Sequence, residues 1–180
     1  MKSPILLLPG IGNSGPEHWQ TLWENEGEGV QRIDAQDWEN PDRCLWVKNL
    51  ERAVNLAGPD VVLVAHSLGC LQVAHWAAAS HSVIRGALLV AVPDPNRLSF
   101  PKAAVGFGSL TLRRFSFPSI VVASSNDPYA DTDYSGRCAQ AWGSSLVNIG
   151  ARGHINAQSG LGDWQRGKAL LEIFLPASAI

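Results

Sequence analysis

The chain alternates between short apolar runs and longer stretches with apolar residues every three or four positions. Residues 5–8, 61–64, 86–92 and 119–123 are such runs, and residues 30–33 and 146–149 are weaker ones. Runs of this length bounded by turn residues read as strands, and those without polar alternation as strands buried on both faces. Between them the spacing turns helical. Pro16 fits the first turn of a helix through Trp19 and Leu22. Asn40 can cap a second helix, with Pro41 at its first position, Val47, Leu50, Val54 and Ala57 on one face, and Gly58-Pro59 as its stop. A third follows residue 67 and ends near His81. Thr132 or Asp133 starts a fourth that reaches Trp142, and Asp163 can cap a fifth carrying Gly167, Leu170, Leu171 and Phe174. Strands alternating with helices predict an α/β fold of about six mainly parallel strands with helices on both faces. Residues 93–118 are punctuated by prolines and glycines, which leaves room for a short helix or two but not for a separate cap domain.

One run carries a chemical signal. Val61-Val62-Leu63-Val64-Ala65-His66-Ser67-Leu68-Gly69 passes from strand to helix through a serine flanked by small residues. This is the pattern of a nucleophile elbow, G-x-S-x-G, with Ala65 in place of the first glycine. The same serine could instead simply cap the helix. Two further residues favour the elbow. A serine hydroxyl needs a base to take its proton and a third group to orient that base. Asp127 follows the fifth strand and His154 the sixth, so Ser67, Asp127 and His154 fall at the carboxyl edge of the sheet in the order of α/β-hydrolases. Asp94, Asp131 and Asp133 compete for the acid; Asp94 reads as a turn residue and the others as helix starters. Cys70 falls inside a helix, and His66 reads as packing behind the elbow. For the oxyanion, the N–H of Leu68 is one donor and the loop after the first strand supplies the second, from Ile11, or from Gly12 if that loop is tighter. His18, Trp19 and Trp38 stand around the same edge as candidate substrate-pocket residues, with Phe100 and Phe107 in the 93–118 segment.

Composition narrows the classes. The 180 residues suit one domain spanning 1–180, and 46% hydrophobic with 17% charged residues is globular. A net charge of −2 with no basic run longer than Arg113-Arg114 argues against nucleic-acid and membrane partners. Residues 5–8 are too short for a signal peptide or a membrane span. Cys44, Cys70 and Cys138 have no metal or redox spacing and read as reduced, buried thiols of a cytoplasmic protein. No metal and no cofactor is expected. Gly10-x-Gly12-x-x-Gly15 followed by Asp34 does match a dinucleotide fingerprint. Against it, Pro16 starts the helix after the third glycine, whereas pyrophosphate needs the helix N-terminus inside the motif.

Several short motifs occur together: Pro9-Gly10, Gly15-Pro16-Glu17-His18-Trp19, Asp37-Trp38, His66-Ser67-Leu68-Gly69, Asn126-Asp127-Pro128-Tyr129 and Gly153-His154-Ile155-Asn156. In this order the chain resembles, over nearly its whole length, the small α/β-hydrolases related to the retinoblastoma-binding serine hydrolase, especially their bacterial members. The resemblance implies a compact α/β-hydrolase lacking the first two strands of larger relatives, a Ser67-Asp127-His154 triad, little or no cap, and tolerance of Ala65. It implies carboxylesterase-like or peptidase-like chemistry, and some relatives are discussed mainly as binding proteins. The expectation is therefore a serine hydrolase cleaving small acyl esters, with amides or short peptides as further substrates, through an acyl-enzyme. The alternatives are a hydrolase-fold module that binds a protein partner with little activity, and the dinucleotide-binding domain.

Overall fold

The computed structural model describes residues 3–33, 37–108, 110 and 112–176. Six parallel strands form one sheet: β1 (Ile5–Leu8), β2 (Val30–Arg32), β3 (Val62–His66), β4 (Gly86–Val90), β5 (Ser119–Ala123) and β6 (Ser145–Asn148), in the order β2-β1-β3-β4-β5-β6. The helices are α1 (Trp19–Glu26), α2 (Arg43–Ala57), α3 (Leu68–Ala79), α4 (Thr132–Trp142) and α5 (Gln165–Leu171). Parallel neighbours need crossovers; helices supply them except between β4 and β5, where the described residues of the connection form no helix. Alternate strand residues serve the two faces. Leu6, Leu8, Leu63, Ala65, Leu89 and Val121 pack with the tryptophan-rich faces of α2, α3 and α4. Ile5, Leu7, Val62, Val64, Leu88 and Val122 pack with α1, α5 and Phe174. Both registers of β1, β3, β4 and β5 are apolar because both are buried.

The order β1-β3 places the elbow at the sheet centre. Here α3 lies so close to the sheet that a Cβ on Gly69 would stand 2.2 Å from the Leu8 carbonyl oxygen. The central strands run as expected, but the helix starts differ. Asp42, not Asn40, caps α2, accepting from Leu45 N–H at 2.9 Å. Asn40 is held in a turn by Asp37, whose carboxylate takes its N–H at 2.9 Å. The start of α1 is Trp19 rather than Pro16, because the His18 side chain supplies the cap. Trp164, at φ 44°, occupies the cap position of α5 instead of Asp163. Its ring lies on Gly167, where a Cβ would come within 2.2 Å, and stacks on Trp23.

Within residues 93–118 the described residues form neither a helix nor a strand; one isolated bridge, Asp42 with Val105, pins the segment to the start of α2. Phe107 is fully buried, edge-on to Trp46, and Phe115 stacks on Trp142. Cys44 stands exposed, contrary to expectation, whereas Cys70 and Cys138 are buried. No helix among the described residues is long and apolar enough to cross a membrane.

Candidate active site

β3 ends at His66 and α3 begins at Leu68, so the whole change of direction falls on Ser67. Its backbone sits at φ 53°, ψ −122°, a conformation that L-residues other than glycine rarely adopt. Two backbone bonds hold it there: Ser67 N–H donates to Val90 O and Cys70 N–H to Ser67 O, both at 2.9 Å. Although Ser67 occupies the cap position of α3, its hydroxyl makes no cap bond. It lies instead 2.8 Å from His154 Nε2. His154 Nδ1 lies 2.9 and 3.0 Å from the two carboxylate oxygens of Asp127. The imidazole and carboxylate side chains are only 9% and 4% exposed. A histidine protonated on Nδ1 donates to Asp127 and leaves its Nε2 lone pair facing the serine hydroxyl. The arrangement can carry a proton from Ser67 to His154.

The loops after β5 and β6 bring Asp127 and His154 together. Ser125 N–H donates to Gly150 O at 3.0 Å. The Asn126 side-chain oxygen takes the Gly153 N–H, and Ser124 Oγ takes the Arg152 N–H. Tyr129 N–H donates to Asp127 Oδ1 and fixes the carboxylate. Asp94 instead turns back on Asn96, and Asp131 caps α4 and pairs with Arg97. Cys70 is buried behind the elbow, with its thiol pushed well up by burial. Sequence reasoning passed over Asn126 and Ser124, whose hydrogen bonds span two loops far apart in the chain.

The loop after β1 lies on Ser67. A Cβ on Gly10 would stand 2.9 Å from Ser67 Cβ and 3.4 Å from the Leu68 nitrogen. The two expected loop donors separate cleanly. Gly12 N–H is spent on Trp38 O at 2.8 Å, so Gly12 cannot donate to an oxyanion. Ile11 N–H has no partner among the described residues, and Ile11 faces the cavity beside Leu68. Leu68 N–H belongs to the first turn of α3, where helix amides lack internal acceptors.

That cavity, about 190 Å³, has Ser67 and His154 in its wall, with His18, Phe100, Tyr129 and Asn156 around them. Trp19 and Trp38, expected beside the substrate, do not line it. Trp19 is buried between Trp23, Trp164 and His66, and Trp38 packs edge-on against Trp46. A larger open groove of about 990 Å³ lies between α2 and α3, far from this chemistry; its Glu51 is occupied by the Trp76 indole and two serine hydroxyls. The Gly10-Gly12-Gly15 loop offers no helix N-terminus, since α1 starts only at Trp19, and Asp34 lies outside the described residues.

Two more histidines approach His154. His66 Nε2 lies 2.9 Å from the His154 carbonyl oxygen, which can only accept, so this nitrogen carries the proton. His18 Nδ1 accepts from Gln20 N–H at 3.1 Å, which puts its proton on Nε2. Burial, and after it the neighbouring Arg32 and His154, pushes His18 down to about 4. Burial, then His154 and His18, holds His66 well below the ordinary histidine value. Below pH 6.5 the unfolded chain therefore binds protons that the folded chain refuses. The sign of the linkage makes stability highest above about pH 6.5 and lower as pH falls toward 4. For His18 alone the difference is roughly 3 kcal/mol. His18→Asn retains a cap acceptor and should flatten the dependence, as read by urea unfolding at pH 7.5 and 4.5. Parallel stability curves for the two proteins would remove His18 as the source.

A family model described as serine hydrolase matches residues 5–173. A crystal structure described as a YdeN-like hydrolase from Pectobacterium atrosepticum is 34% identical, covering 96% of this chain and 92% of that one, with a TM-score of 0.84. The ydeN gene product of B. subtilis is 18% identical over 96% and 98% of the chains, with a TM-score of 0.79. Est1E from Butyrivibrio proteoclasticus, in a structure with ferulic acid bound, is 15% identical over 95% and 89%, with a TM-score of 0.70. No curated protein matches the sequence. The last two likenesses concern the fold alone; the family match and the Pectobacterium relative reach further, and on them the chain belongs to the serine hydrolase family and is a hydrolase of the α/β-hydrolase fold.

Proposed function

We propose that the protein is a carboxylesterase-like enzyme that cleaves small acyl esters through a Ser67-His154-Asp127 triad. The observation that carries this is the unbroken line from a strained serine hydroxyl, through one imidazole, to a carboxylate, at 2.8 and 2.9 Å. Ser67 Oγ attacks the acyl carbonyl while His154 Nε2 takes its proton. Asp127 holds the tautomer and stabilises the imidazolium. The tetrahedral oxyanion is met by the N–H groups of Leu68 and Ile11. His154 then protonates the leaving alcohol, the acyl-enzyme remains, and water activated by the same histidine releases the acid and restores Ser67. No cofactor enters these steps. Amide and short-peptide bonds would follow the same path with a poorer leaving group.

The acyl group is short. The cavity is small, and the 93–118 segment brings Phe100 and Pro101 to its wall without adding a tunnel. Each buried methylene contributes about 0.8 kcal/mol only while the walls still cover it. Along a p-nitrophenyl series from acetate to palmitate, kcat/KM should therefore peak between acetate and hexanoate. A steady rise to palmitate would contradict a small site. Labelling by a fluorophosphonate, located on Ser67 by mass spectrometry, tests the nucleophile itself. An unlabelled, folded protein would overturn the proposal.

A further inference from the structure

The residue after His154 is conformationally costly. Ile155 is fully buried, with φ at 51°, a region that β-branched side chains avoid. Such a backbone persists only where its surroundings over-determine it. Here the surroundings are two ring N–H groups on two consecutive carbonyls. His66 Nε2–H donates to His154 O at 2.9 Å, and Trp19 Nε1–H donates to Ile155 O at 2.8 Å. A third bond, Ile155 N–H to Arg152 O at 3.2 Å, closes the turn on its other side.

The two donors come from different elements. His66 ends β3 immediately before Ser67, and Trp19 opens α1. Their rings pack edge to face, with centroids 6.1 Å apart, and His66 lies 5.0 Å from the His154 ring. The strand that presents Ser67 therefore grips the backbone of the histidine that faces Ser67. Burial keeps His66 neutral, so its single N–H stays on the nitrogen that makes this bond.

Resting on the triad reading, we propose that His66 and Trp19 are positioning residues, a two-ring clamp that holds the strained 154–155 backbone so that His154 reaches Ser67 and Asp127 at once. Neither residue touches the reacting atoms in this role. Without the clamp, Ile155 relaxes toward negative φ, the preceding peptide turns, and the imidazole leaves one of its two partners. Misplacement of a base by about 1 Å can cost on the order of a hundredfold in rate.

The decisive comparison is His66→Gln against His66→Met. The two side chains have similar length, but only glutamine offers an N–H at the position of Nε2. His66→Gln should keep kcat on p-nitrophenyl butyrate within about threefold of the unmodified protein, on the scale of one hydrogen bond, whereas His66→Met should lower it by about tenfold or more. His66 also stands in the cavity wall, so KM can shift in both variants, but the difference between glutamine and methionine should fall on kcat. Equal kcat values for the two variants would overturn the clamp, and so would a loss expressed in KM alone. A second cycle reads the strain directly. Ile155→Gly removes the penalty for positive φ, so the Met-to-Gln difference should shrink in that background; an undiminished difference would show that the bond does something other than hold this backbone. Fluorophosphonate labelling of the unmodified protein separates the two levels. An unlabelled unmodified protein defeats the triad, whereas a labelled, active one with indistinguishable His66 variants defeats only the clamp.

Discussion

Ser67→Ala and His154→Ala should each lower kcat for p-nitrophenyl butyrate by roughly 10⁴–10⁶, with the double variant hardly worse than either single one. The reason for this non-additivity lies in the geometry. Ser67 Oγ is a poor nucleophile until His154 Nε2, at 2.8 Å, can receive its proton, and His154 has no other attacking group to serve. Loss of either member leaves only the oxyanion donors and the cavity. Asp127→Asn should retain the fold but lose on the order of 10⁴, because an amide pointing its N–H at Nδ1 selects the wrong tautomer. Ser67→Ala and Asp127→Asn need not disturb the fold, since Ser67 carries no cap bond and asparagine keeps an oxygen for the Tyr129 N–H. Circular dichroism and melting curves close to those of the unmodified protein should accompany the losses. Full activity in a folded Ser67→Ala variant would sink the mechanism, and a crippled Asp94→Asn beside an active Asp127→Asn would move the acid.

The largest expected effect on stability comes from a single methyl group at Gly69. The Cβ of Gly69→Ala would sit 2.2 Å from Leu8 O, with Leu8 C and Pro9 O at 2.9 Å. All three neighbours are backbone of the central strand β1 and the loop after it, so no side chain can rotate away. Relief requires α3 to lift from the sheet, and α3 is buried from Leu68 to Trp76. Overpacking of this kind costs ~3 kcal/mol or more, a large fraction of the ~5–15 kcal/mol that keeps an ordinary domain folded. A soluble, cooperatively melting Gly69→Ala protein with an unchanged midpoint would contradict the close approach. Gly136→Ala in α4 is the matched control. The nearest side-chain atom there is Leu146 Cδ2 at 4.0 Å, so the methyl has room and the helix should gain ~0.5–1 kcal/mol.

The strands were legible because both of their registers are buried: Val62, Leu63 and Val64 cannot alternate with polar residues when each faces a helical layer. That Ser67, Asp127 and His154 would come together was legible because they stand at strand ends, where chain order alone limits the possibilities. Helix starts were less so. Asn40 and Asp42 both suit a cap, and the choice falls to Asp42 because Asn40 is held in a turn, its N–H donating to the Asp37 carboxylate. Tryptophans were the poorest guide. Nothing in the local pattern separates Trp19, whose indole serves a carbonyl 136 residues away, from a ring lining the cavity. Similarly, no local pattern shows that Gly12 N–H is taken by Trp38 O, 26 residues away, while Ile11 N–H is not.

The pinned segment between β4 and β5 has a kinetic meaning. Val105 holds to Pro41 and Arg43, Asp94 to Tyr129, and Phe107 is seated in the core, so the wall carrying Phe100 and Pro101 stands in place before any ester arrives. For the proposed reaction, turnover then follows bond making and breaking at Ser67 rather than the opening of a gate.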